Sequence, residues 1–162
     1  MTQTSIIGKD GSRERLEALG IDLPVLAAPL NAYVDAVLDN GLLYLSGKGP
    51  RRPDGSRRVG KVGGDVSVEE ASEDARITGI NLLAAIQAAI GSLEKVERVV
   101  KVLALVNAVP EFADHPKVID SFSSLMVDVF GDKGRHARSA FGVGSLPNRM
   151  TIEIEMIVRV AQ

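Results

Sequence analysis

The sequence contains no cysteine and no tryptophan, and only two histidines, His115 and His136. Without thiols there is no disulfide, no thiolate nucleophile and no cysteine-based metal site. Two histidines are too few for a His-rich metal centre, so no metal is expected. Aromatic residues make up 4% of the chain, and no stacking platform for single-stranded nucleic acid is visible. Neither charge sign dominates. A formal net charge of -2 gives no global reason to expect nucleic acid or an anionic membrane as a partner. Long apolar runs are missing too. The best, Val96 to Val109, is interrupted by Arg98, Lys101 and Asn107, and is too short and too charged to span a bilayer. The N-terminal MTQTSIIGKD has neither a basic opening nor a long apolar stretch, so it does not read as a signal peptide. A cytoplasmic location is the expectation.

What is present suits one domain. The chain has 162 residues, 45% hydrophobic and 25% charged, enough for a sizeable core. SRERLEAL at 12–19 reads as a short helix ended by Gly20. YVDAVLDNGLLYLSG reads as a hairpin turning at Asn40-Gly41, the favoured type I′ pair. RVGKVGGD is a weak strand or a loop. Ser67 and Glu70 form a capping box that opens a helix whose apolar stripe runs to Ile90, with Gly91 as the stop. The β-branched run Val96–Val109 predicts a central strand buried on both faces. Pro116 opens a second helix, which Gly131 ends. Two strands, Arg138–Val143 and Met150–Val160, close the chain around SLPN. The order predicts an α+β fold: a mixed β-sheet with two long helices on one face. Residues 1–30 read as an N-terminal helical extension and 31–162 as the core.

The final strands raise a question of faces. In TIEIEMIV, Ile152, Ile154 and Met156 alternate with Thr151, Glu153 and Glu155. Placing apolar residues on one face sets Phe141 and Val143 beside Ile152 and Ile154, under the helices. His136, Arg138, Glu153 and Glu155 then share the opposite face, with Ala140 and Gly142 leaving room. A guanidinium, two carboxylates and a gap form either a small-carboxylate site or a solvated face of ion pairs. His136 is either a general base or a hydrogen-bonding scaffold.

Other patterns carry less. Gly142-Val-Gly144 follows no dinucleotide pattern, Ser145 lacks nucleophile-elbow spacing, and GKVGGD and SGKGP match no phosphate loop. Lys48, Arg51, Arg52, Arg57, Arg58 and Lys61 form one basic patch. It is either an RNA-phosphate contact or a solvated turn.

ARSAFGVGSLPNRMTIEIE resembles the signature of the reactive-intermediate deaminase family, the YjgF-like proteins, and YLSG resembles the family's N-terminal hairpin. The resemblance covers roughly residues 30–160. VIDSFSSLMVDVFG and GRHARSA resemble a longer-chain branch often labelled endoribonucleases. It implies a chorismate-mutase-like fold and a homotrimer whose sheets join into a barrel, with ligand clefts between subunits. It implies hydrolysis of enamines and imines of amino acids to 2-keto acids and ammonia, without metal or organic cofactor. The alternatives are a non-catalytic trimer that binds a small carboxylate metabolite, and an endoribonuclease. By resemblance Arg138 clamps the ligand carboxylate, Glu153 holds the attacking water, Tyr33 closes the cleft, and Gly47 presents backbone to the ligand. The chain departs from the family pattern with Asp120 where Asn is frequent, Lys48 where Gln is frequent, and His136 where shorter members have Pro. Asp120 and His136 are expected at the ligand's edge, where a carboxylate at 120 would repel an acidic ligand.

Overall fold

In the computed structural model, which describes residues 11–161, local signals set most element boundaries. Helix α1 (Ser12–Leu19) ends at a left-handed Gly20. No side chain of its own caps the start. The Glu94 carboxylate does so from afar, accepting from Ser12 Oγ (2.8 Å) and the Arg13 backbone N–H (3.0 Å). Strands β1 (Ala36–Asp39) and β2 (Leu42–Lys48) form the expected hairpin. Asn40 and Gly41 both take positive φ there, as a type I′ turn demands. Helix α2 (Val68–Ile90) carries both halves of the capping box between Ser67 and Glu70, and stops at left-handed Gly91. Strand β3 (Val96–Asn107), helix α3 (His115–Phe130), strand β4 (Ala137–Val143) and strand β5 (Ile152–Val160) complete the chain. Residues 1–10 of the anticipated N-terminal extension lie outside the described residues.

The five strands lie in the order β1-β2-β5-β3-β4. All pairs are antiparallel except β3 with β4, which run parallel. Helices α2 and α3 pack on each other and cover one face of this sheet. Leu43, Leu45, Val102, Ala104, Val106, Ile152, Ile154, Met156 and Val158 meet the helical residues Leu82, Leu83, Ile86, Phe122 and Leu125 in one core. The other face is not covered by helix. It carries Val37, Tyr44 and Phe141, roughly half exposed, with Leu103 and Leu105 between them.

Three expectations need correction. The Val96–Val109 run does form an inner strand, β3, between β5 and β4, but it is fully buried on its helix side only. The last two strands are not neighbours, because β3 lies between them. Arg138 therefore does not share a face with Glu153. Register pairs Arg138 with Val102, Ala140 with Ala104 and Gly142 with Val106, so these residues look toward the helices. Phe141 pairs with Leu105, which also pairs with Glu153, and looks the other way. The apolar-inward rule fails here for a steric reason. α3 approaches so closely that a Cβ on Gly142 would sit 2.5 Å from His115 Nε2. Only small residues, or an arginine reaching along the helix, fit beneath it.

Candidate active site

The bulge in β2 builds one half of the site. Between Leu45 and Lys48 the register with β5 slips, inserting an extra residue. This brings Gly47 against Glu153: a Cβ on Gly47 would lie 2.3 Å from Glu153 Oε1. Glu153 therefore occupies the space that any other residue at 47 would claim. Its carboxylate has no hydrogen bond or ion pair among the described residues. Partial burial, and then the neighbouring Glu155 charge, push its pKa above the ordinary glutamate value. Glu153 lines a cavity of about 450 Å³ with Tyr33, Gly47, Asn81, Met150, residues 49–53 and Arg57. The structure thus groups three of the expected residues, Tyr33, Gly47 and Glu153. Lys48 lines the cavity too, paired to Asp35.

The other three expected residues, Asp120, His136 and Arg138, form a second group on the helix side. Arg138 Nη1 donates to Asp120 Oδ1 (3.0 Å) and Ser123 Oγ (3.1 Å), and Nη2 to the Pro116 carbonyl (3.4 Å). His136 Nδ1 lies 2.7 Å from the Gly134 carbonyl, so it must donate there. Its Nε2 is then free to accept from Ser123 Oγ at 3.0 Å. Burial lowers the His136 pKa below its usual value, and the Arg138 charge adds to this. His136 thus contacts Ser123, and Ser123 in turn accepts from Arg138. Ser123 was missed by the sequence reading. Its place on α3 facing Arg138 depends on how β4 packs, which no local pattern reports.

The basic patch resolves into separate roles. Arg58 donates to Asp74 Oδ1 (2.7 Å) and Glu73 Oε2 (2.9 Å), and Arg52 reaches the same two carboxylates. Asp74 is completely buried and also accepts from Thr151 Oγ1 (2.7 Å), so this network ties α2 to the residue that precedes β5. Lys61 Nζ donates to Asn107 Oδ1 (2.9 Å) and to the Gly144 carbonyl. Asn107, buried, in turn donates to the Gly60 and Met150 carbonyls, both at 3.1 Å. Arg51 and Arg57 make no side-chain hydrogen bond or ion pair among the described residues, and both line the Glu153 cavity. Among the described residues there is no cluster able to hold a metal ion, and no helix long and apolar enough to cross a membrane.

Comparison with known proteins places this geometry in context. The family model described as "YjgF/chorismate_mutase-like, putative endoribonuclease" matches residues 13–157. Protein TCP17 of Trypanosoma cruzi is 36% identical over 157 residues, covering 96% of this chain and 98% of its own. The crystal structure of the Agrobacterium tumefaciens protein Atu1372, of unknown function, superposes with a TM-score of 0.86 at 39% identity, over 94% of this chain and 95% of that one. A Shewanella oneidensis protein bearing the endoribonuclease label gives a TM-score of 0.88 at 26% identity, over 93% and 99% of the two chains.

Proposed function

The chain belongs to the YjgF/chorismate mutase-like family, and from that premise we propose that it hydrolyses imines or enamines of amino-acid origin, as a homotrimer with its sites between subunits. The observation that carries this reading is Glu153: a half-buried carboxylate with a raised pKa and no partner among the described residues, set against Gly47 in a cavity. Such a group is suited to accept a proton from water and return it. Arg138 lies on the edge strand and the opposite face, so it does not serve its own Glu153. In the proposed trimer, Arg138 of the partner subunit completes the cleft. The half-exposed apolar side chains Val37, Tyr44 and Phe141 on the open face support assembly, since such a patch gains by being covered.

The steps balance without a cofactor. Arg138 of the partner subunit holds the substrate carboxylate by a two-point contact. Glu153 takes a proton from water as the water oxygen bonds to the imine carbon, and hands that proton to the nitrogen, giving a neutral carbinolamine. Glu153 then takes the carbinolamine hydroxyl proton and delivers it to the nitrogen, so that the carbonyl forms, the C–N bond breaks and ammonia leaves. The products are a 2-keto acid and ammonia.

The test uses 2-iminopropanoate generated in situ from alanine by an amino-acid oxidase, with ammonia release followed against buffer. Wild type should accelerate release, and Glu153→Gln and Arg138→Lys should each lose roughly thirtyfold or more. No acceleration by wild type would refute the hydrolase. If it still binds 2-oxobutanoate, the non-catalytic carboxylate binder is the correct reading. A monomer at micromolar concentration in sedimentation would refute the shared cleft. The endoribonuclease reading gains little from the basic patch, because Arg52, Arg58, Lys48 and Lys61 are held by protein groups.

A further inference from the structure

We propose that the Glu153 cavity is built for a dianionic ligand: a 2-imino acid whose side chain carries a second acidic group. This rests on the reading of the cavity as an imino-acid site and adds its substrate class.

The charges on the cavity wall do not cancel. Four cations line it, Lys48, Arg51, Arg52 and Arg57, against one carboxylate, Glu153. Lys48 is neutralised by Asp35, and Arg52 by Asp74 and Glu73. Asp54, the acid within the loop, is taken up by the Ser56 backbone N–H and hydroxyl at 2.9 and 2.6 Å. Arg51 and Arg57 are left with no partner among the described residues, and both face the cavity. Two unpaired guanidinium groups beside a single carboxylate leave the wall one positive charge in excess. A monocarboxylate held at Arg138 of the partner subunit does not use that charge. A second acidic group does.

The loop that carries these arginines is held in shape before any ligand arrives. Asn81 Nδ2, from α2, donates to the carbonyls of Gly49 and Arg51, both at 3.0 Å. The Arg52 N–H to Ser56 carbonyl bond (2.8 Å) and the Gly55 N–H to Arg52 carbonyl bond (2.9 Å) close the turn between them. Pro50 and Pro53 restrict the backbone further. Anchoring of this kind lowers the ordering cost of binding. Size agrees. At about 30 Å³ for each water-sized group, the 450 Å³ cavity exceeds what a three-carbon imino acid fills.

The test separates ligand class from catalysis by using stable keto-acid products as probes. Calorimetric titration of wild type should bind 2-oxoglutarate roughly ten- to a hundredfold more tightly than 2-oxobutanoate, since one more charge-assisted contact is made. In the Arg51→Gln/Arg57→Gln double variant this ratio should fall toward one, with the thermal midpoint retained because neither side chain has a partner among the described residues. Raising ionic strength should erode the 2-oxoglutarate preference first. Equal wild-type affinities for the two acids would overturn the proposal even if imine hydrolysis is found. A preference that survives in the double variant would also overturn it, by placing the second anion elsewhere. An RNA oligomer that binds through the same arginines, with no preference between the acids, would assign the patch to nucleic acid instead. Failure of 2-iminopropanoate hydrolysis with the diacid preference intact would remove the hydrolase and keep the ligand class.

Discussion

Replacing Gly47 with alanine isolates the one contact on which the site depends. An alanine Cβ would lie 2.3 Å from Glu153 Oε1, 3.0 Å from its Cδ and 3.1 Å from its Cγ. An ordinary carbon–oxygen contact is about 3.3 Å, so the carboxylate must retreat by about 1 Å. What must move is the far end of a flexible, half-buried side chain, not backbone. The fold should therefore survive. Alanine also recovers about 0.5–1 kcal/mol of backbone entropy in a strand, so net stability should change by no more than about 1 kcal/mol. For a domain of this size that is within about 4 °C in thermal midpoint. Activity should respond very differently. A displacement of about 1 Å in a reacting group costs on the order of a hundredfold in rate. The assay pairs a thermal melt with ammonia release from 2-iminopropanoate, wild type against Gly47→Ala and Glu153→Gln. Both variants should melt normally and both should be slow. If Gly47→Ala keeps turnover within threefold of wild type while Glu153→Gln does not, Glu153 acts from a different position and the reasoning fails.

Three further outcomes follow from other parts of the molecule. Asp74→Asn removes the charge that Arg58 and Arg52 share and disturbs the Thr151 bond, so urea denaturation should show a loss of about 3 kcal/mol; an unchanged midpoint would mean that both arginines find water at no cost. His136 has its pKa depressed below 6.5, chiefly by burial. Its contribution to stability is therefore complete above pH 6.5 and is lost as pH falls through the folded value, and His136→Gln should flatten that part of the stability–pH profile measured from pH 8 to 5. Asp120→Asn frees Arg138 Nη1 from a carboxylate whose side chain is 65% exposed, so stability should change little while affinity for 2-oxobutanoate rises several-fold in calorimetry; no change in affinity would place Asp120 away from the ligand.

Signals that act within a few residues were legible in the sequence. The Ser67–Glu70 capping box, the Asn40-Gly41 turn and the stops at Gly20 and Gly91 all specify local backbone geometry, and each depends on the chain's own chemistry. The alternation Ile152, Ile154, Met156, Val158 likewise identified the buried face of β5, because that strand is flanked on both sides and covered by helix on one. Resemblance in the final segment pointed to Glu153 and Arg138 together. What the chain alone did not reveal was the face of β4. Its single neighbour is β3, in a parallel pairing made by a crossover through α3. The close approach of that helix at His115 leaves no room for a side chain at Gly142, and Phe141 lies outward, about half exposed. Hydrophobicity specifies a strand's inner face only where a core has space to accept it. At this edge the space was already filled, and so tertiary packing, not the residue pattern, set Arg138 and Glu153 on opposite sides of one sheet.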